Sequence, residues 1–119
     1  MFTWDRETKK ITLSRGDTGS VPFQISGVDF GTDGRVVWTM KSAAGTIVKE
    51  GVYAPEGNIF WVQFNNGDTD GLQPGNYEYD ARAVLNPVYD TEGRIVDGDW
   101  VRTPTLPLTV QILRTVGDI

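Results

Sequence analysis

Apolar and polar residues alternate in short runs along most of the chain, the period of a strand whose successive side chains point to opposite faces. Lys10-Ile11-Thr12-Leu13-Ser14 is the first such run. Arg15 to Gly19 then reads as a turn. Val21, Phe23 and Ile25 follow on one face, with Pro22, Gln24 and Ser26 on the other. Pro22 lacks the N–H that a ladder needs, which predicts a strand start or a sheet edge. A loop from Gly27 to Gly34 precedes Val36, Trp38 and Met40, which share a face opposite Val37, Thr39 and Lys41. Ala44-Gly45 and Pro55-Glu56-Gly57-Asn58 punctuate two more strands, Thr46 to Ala54 and Ile59 to Phe64. In the latter, Phe60, Val62 and Phe64 oppose Ile59, Trp61 and Gln63.

After a loop over Asn65 to Gly75, a strand from Asn76 to Leu85 turns Tyr77, Tyr79, Ala81 and Ala83 one way and Glu78, Asp80 and Arg82 the other. Thr91-Glu92-Gly93-Arg94 predicts the tip of a hairpin between Val88-Tyr89 and Ile95-Val96. Leu106, Leu108, Val110 and Ile112 share one face of the last strand, whose start Pro104 and Pro107 place on an edge. No amphipathic helical stretch, internal repeat or linker interrupts the pattern. Phe23, Trp38 and Tyr79 fall mid-strand in the second, third and sixth strands. Immunoglobulin domains pack a third-strand Trp against a bridge between those two neighbours, and here aromatic packing takes the place of a disulfide. Tyr77, two positions before Tyr79, sits where a tyrosine corner is expected, its hydroxyl bonded back to the preceding loop. The prediction is an all-β fold, an immunoglobulin-like antiparallel β-sandwich of about 7–9 strands. It forms a single domain over residues 1–119, with its core over about residues 9–113.

Composition fits this reading and narrows the chemistry. The 119 residues suffice for one core, and 14 glycines and 6 prolines supply the chain reversals. There is no cysteine, hence no disulfide, thiolate nucleophile or zinc thiolate, and no histidine, the commonest general base and transition-metal ligand. The net charge of −5, with no basic run longer than Lys9-Lys10, argues against nucleic acid as a partner. No apolar run reaches the roughly 20 residues of a membrane-spanning helix, so no membrane partner is expected. The first residues lack the layout of a signal peptide, which predicts synthesis in the cytoplasm.

Two segments resemble a known family. Ile11-Thr12-Leu13-Ser14-Arg15-Gly16-Asp17-Thr18-Gly19 followed by Val21-Pro22-Phe23 is similar to the opening of immunoglobulin-like domains in bacteriophage baseplate and tail proteins. Leu72-Gln73-Pro74-Gly75-Asn76-Tyr77-Glu78-Tyr79-Asp80 resembles the same group's Gly-x-Tyr-x-Tyr-Asp strand, and a glycine-bearing hairpin, Glu92-Gly93-Arg94, follows. The resemblance is closest to the N-terminal domain of baseplate upper proteins from phages of Gram-positive bacteria, over about residues 9–113. The 119 residues hold no downstream receptor-binding or coiled-coil region, a departure from that group that fits either a stand-alone accessory protein or a fragment of something longer. The resemblance implies a virion protein made in the bacterial cytoplasm, with other virion proteins and copies of itself as partners. It implies no catalytic residues and no cofactor.

The remaining candidates are weighed on their own residues. Asp17 reads as a turn former, and Arg15-Gly16-Asp17 also spells a cell-adhesion tripeptide, a match that chance often produces. Asn66-Gly67-Asp68-Thr69-Asp70-Gly71 looks like the start of an EF-hand loop, with Asp68 and Asp70 as calcium candidates. Tyr77 stands where the bidentate Glu belongs, with Glu78 one residue late, so a solvated loop is the expectation and no metal is assigned. Asp80, Arg82 and Glu78 predict ordinary cross-strand ion pairing. Ile59, Trp61, Tyr89 and Trp100 are the interface candidates, and Trp4 is likewise hard to place inside. Trp61 on its sheet face reads as an interface anchor, a sugar-stacking platform, or a side chain covered by the N-terminal segment.

Overall fold

In the computed structural model, which describes residues 2–101 and 108–113, nine strands and one helical turn build a β-sandwich. The strands are β1 (Thr3–Trp4), β2 (Ile11–Ser14), β3 (Gly19–Gln24), β4 (Arg35–Lys41), β5 (Ile47–Tyr53), β6 (Ile59–Phe64), β7 (Gly75–Tyr89), β8 (Ile95–Val101) and β9 (Leu108–Leu113). Helix α1 spans Asn66–Thr69. Pro104, Leu106 and Pro107 lie outside the described residues.

The two sheets are unequal. One runs β1-β2-β9-β7-β4-β5, with β8 also on β7; the other contains only β3 and β6. All ladders are antiparallel except β2 on β9, where Ile11 pairs with Val110 and Leu13 with Ile112. That parallel pair joins strands from the two ends of the sequence. The alternation in each strand decides what faces the other sheet. Val36, Trp38 and Met40 of β4 are fully buried, as are Ile11 and Leu13 of β2 and Val62 and Phe64 of β6. Val37 and Thr39, on the opposite face of β4, are nearly as buried because β4 is flanked by β5 and β7.

An aromatic cluster fills the centre. Trp38 stacks on Tyr79 with centroids 5.3 Å apart and meets Phe64 edge-on at 5.8 Å. Phe23 packs on Tyr79 at 5.5 Å, so the three expected core aromatics form one contiguous group, although Phe23 is only half-buried. Such contacts contribute about 0.5–1.5 kcal/mol each beyond area burial. The Trp38 indole N–H has no hydrogen-bond partner among the described residues.

Hydroxyls on β7 pin two loops. Tyr77 donates to the Gln73 carbonyl at 2.8 Å, which is the corner expected from its place before Tyr79. Tyr79 donates to the carbonyl of Lys9, across 70 positions of sequence. Lys9 is held there at φ 61°, a left-handed conformation uncommon outside glycine.

The segment after β6 is a capped helical turn rather than an open loop. The Asn65 N–H donates to Asp68 Oδ2 at 2.7 Å, and buried Thr69 accepts from the Gly16 N–H at 2.9 Å. Asp17 behaves as the turn former expected of it, its carboxylate accepting from the Ser14 N–H at 2.9 Å.

Candidate interaction surfaces

β7 is long because it does two jobs. Its first part pairs with β9 and β4, the β4 ladder ending at Arg35 opposite Val84. Beyond Val84 the chain continues to Tyr89, paired with β8 alone. Residues 85–99 therefore form a hairpin arm that extends past the sandwich. The radius of gyration, 15.1 Å, exceeds the about 13.5 Å of a compact chain of this length, as a projecting arm requires.

The base of the arm is built around a bulge. Asn86 and Pro87 together oppose Gly98, with Asn86 at φ 49° and its side-chain amide donating to Asp99 at 3.0 Å. Gly98 sits at φ 151°, where a Cβ would lie 2.6 Å from Val84 Cγ2. No larger residue fits that crossing, so glycine there sets the direction of the arm. At the tip, Asp90 accepts from the N–H groups of Glu92 and Arg94, each at 2.9 Å.

What the arm presents is apolar at the sides and acidic overall. Val88 is 52% exposed, Tyr89 45% and Val96 61%. Asp90, Glu92, Asp97 and Asp99 stand against a single cation, Arg94, in this stretch. Trp100 lies at the arm's base, facing outward opposite Val84, with the Arg82 guanidinium 4.7 Å from its ring centre. Arg82 thus stacks on an aromatic ring of the neighbouring strand instead of forming the cross-strand ion pair expected from its spacing.

A second surface is the outward face of β3 and β6. Pro22 pairs with Trp61 and Gln24 with Ile59 in register, so these four side chains share that face. Pro22 thus lies mid-strand, in a two-stranded sheet that is all edge. Trp61 is 59% exposed. The described N-terminal residues do not cover it: Phe2 packs on Phe64 at 5.7 Å and Trp4 on Phe23 at 5.1 Å, which places Trp4 partly inside. On one flank of the face, Trp4, Arg6, Lys9, Pro22 and Ile59 line a cavity of about 270 Å³. On the other, Tyr53, Glu56, Ile59 and Trp61 line one of about 460 Å³.

The charges around the first cavity are sorted by local chemistry. Lys9 Nζ lies 5.7 Å above the Trp4 ring. Asp5, on the same turn, is turned to the backbone: the N–H groups of Thr8 and Glu7 hold its carboxyl below the usual range. The lining charges are therefore both cations.

Of the four interface candidates, the fold brings Ile59 and Trp61 together on one sheet, and on the other it places Tyr89 on the arm and Trp100 at the arm's base. Of the calcium candidates, Asp68 already has protein partners. Asp68 is committed to Lys49 Nζ at 3.0 Å and to the Asn65 N–H. Among the described residues, no group of three or more His, Cys, Asp or Glu side chains gathers to hold a metal ion. Nor is any described helix long and apolar enough to cross a membrane. Val88, Val96, Arg6 and Lys9 were not singled out by sequence. The exposed valines look like ordinary strand residues until the arm is seen to leave the core.

No family model matches the chain, and neither a curated protein nor a solved structure shows significant similarity to it.

Proposed function

We propose that this chain is a non-catalytic structural protein of a phage or prophage virion, a baseplate or tail component that acts through protein–protein contacts. One observation carries the reading: a hairpin arm with Val88, Tyr89 and Val96 largely exposed, an element that buries little within its own chain. Large apolar side chains exposed on an element that leaves the core favour an interaction role over a packing one. The motif resemblance in residues 11–23 and 72–80 supplies the virion context. Made in the bacterial cytoplasm, the protein takes other virion proteins and its own copies as partners, and needs neither nucleic acid, membrane nor cofactor. Immunogold electron microscopy with an antibody to this domain, on lysate of the source strain after prophage induction, tests the proposal. Gold at a fixed position on tail-like particles is expected. Bare particles with label on the cell envelope would overturn it.

A second reading, a surface module that binds glycan, is favoured by the exposed Trp61 ring beside Tyr53 and the Glu56 carboxylate in the 460 Å³ groove. It requires sugars to shift Trp fluorescence and Trp61→Ala to remove the shift. A panel of cell-wall sugars with no effect on the emission would sink it.

A further inference from the structure

We infer that the hairpin arm of one copy docks on the outward β3–β6 face of a second copy, its acidic sides meeting Arg6 and Lys9. The inference rests on the assembly reading and names its partner.

Three observations lead to it. The two surfaces hold most of the strongly exposed large apolar side chains: Val88, Tyr89 and Val96 on the arm, Ile59 and Trp61 on the face. Their charges are opposite on the Arg6–Lys9 flank of the face, the side away from Glu56. The arm bears four carboxylates against one guanidinium, whereas the cavity flanking the face is lined by two cations on a chain whose net charge is −5. Their dimensions are also comparable, since the bulged segment Leu85 to Tyr89 spans at most about 17 Å and the six residues of β6 about 20 Å.

One molecule cannot satisfy both surfaces. The arm continues β7 past the end of β4 in the seven-stranded sheet, while Pro22, Ile59 and Trp61 point outward from the other sheet. The contact is therefore between different patches. Such head-to-tail contacts propagate, closing into a ring or extending as a filament.

The lack of native cysteine makes a direct test clean. Full-length Val96→Cys and Ile59→Cys chains, each at an exposed position, are mixed and oxidised mildly, then run without reductant. A heterodimer is expected from the mixture, and a ladder from a chain carrying both substitutions. Arg6→Glu with Lys9→Glu on the receiving chain should cut the heterodimer yield roughly tenfold, as about 1.4 kcal/mol of lost affinity does. Glu92→Lys with Asp97→Lys on the arm should restore it. A mixture giving no more heterodimer than Val96→Cys with Ile47→Cys, a control on exposed β5, overturns the inference. So does a strong homodimer of Val96→Cys alone, which would mean that arms pair with arms, and so does indifference to the charge reversals. The two proposals fail separately. Heterodimer with gold on the cell envelope removes the virion role and keeps the contact, and gold on tails without heterodimer does the reverse.

Discussion

Removing the Tyr79 hydroxyl tests whether this fold ties its N-terminal turn to its core through one bond. The ring stacks on Trp38 and touches Phe23, and only its hydroxyl reaches outward, to the Lys9 carbonyl. Tyr79→Phe keeps the ring packing and deletes the donor. A neutral hydrogen bond contributes a net 0.5–1.5 kcal/mol or so. Lys9 is exposed, so water can satisfy its carbonyl and no desolvation penalty is added. With an unfolding entropy near 2.1 cal/mol/K per residue, a loss of about 1 kcal/mol lowers Tm by roughly 4 °C in a chain of this size. Urea titration followed by circular dichroism should show a lower midpoint with an unchanged slope. A loss below about 0.3 kcal/mol would mean that the bond contributes nothing. One above about 3 kcal/mol would mean that the ring itself had moved, the range of a core truncation. The same hydroxyl makes a pH prediction. Burial raises the Tyr79 phenol well above its ordinary 10.0, and burial followed by the Asp68 charge raises Tyr53. Above pH 10 the unfolded chain releases these protons and the folded chain keeps them. Stability is thus full below about pH 10 and falls as pH rises, by up to about 1.4 kcal/mol per pH unit for each such group. In the Tyr79→Phe chain this alkaline loss should be smaller.

Three further substitutions probe the rest of the structure. Asp68→Ala removes both a helix cap and the partner of Lys49, whose side chain is only 13% exposed, and should cost about 2–4 kcal/mol in chemical denaturation. Lys49→Met, which puts an unbranched apolar side chain near Phe64, should be milder, because the Asp68 left behind is 26% exposed and still accepts from the Asn65 N–H. Gly98→Ala forces a Cβ against Val84 at an unfavourable φ and should cost about 1–3 kcal/mol by thermal melting; an unchanged Tm would show that the arm's crossing is loose. Trp61→Ala should leave stability within about 0.5 kcal/mol of the parent while suppressing the cross-link between the Ile59→Cys and Val96→Cys chains, and a large stability loss would place Trp61 in the core instead.

Much of the sandwich was legible because its strands alternate cleanly. Phe60, Val62 and Phe64 against Ile59, Trp61 and Gln63 gave both a strand and its buried side, and the spacing of Tyr77 and Tyr79 gave the corner. Three things were not legible. Asn86-Pro87 read as a break between strands, yet the bulge opposite Gly98 absorbs the missing N–H and lets β7 run on to Tyr89. The parallel ladder between β2 and β9 depends on pairing across almost the whole sequence, which local periodicity does not encode. Asn66-Gly67-Asp68-Thr69 carries a metal-loop pattern, but its carboxylate caps a helical turn and neutralises Lys49. The candidate surfaces were half visible. Trp61 and Tyr89 stood out by type, while Arg6 and Lys9 acquire meaning only once the β1–β2 turn is drawn against Trp4 and Pro22 by the Tyr79 bond.

Three of the sheet edges are obstructed in ways that disfavour strand addition by another chain. An open edge invites pairing with another chain unless something obstructs it. On β5 an inward Lys49 does so, drawn to Asp68 across the sandwich. On β8 the sequence Asp97-Gly98-Asp99 places two carboxylates around a kink, so a strand laid alongside would meet charge and a bent ladder. On β3 Pro22 removes a donor in mid-strand. With these three edges obstructed, most of the exposed large apolar side chains lie on side-chain faces, Val88, Tyr89 and Val96 on the arm and Ile59 and Trp61 on the small sheet, with Ile47 and Val52 on β5 the exceptions. Association through such faces depends on shape and charge, which restricts it to a matched partner, whereas an open edge would accept almost any extended chain. Under the assembly role proposed above, that restriction is what the obstructed edges would contribute.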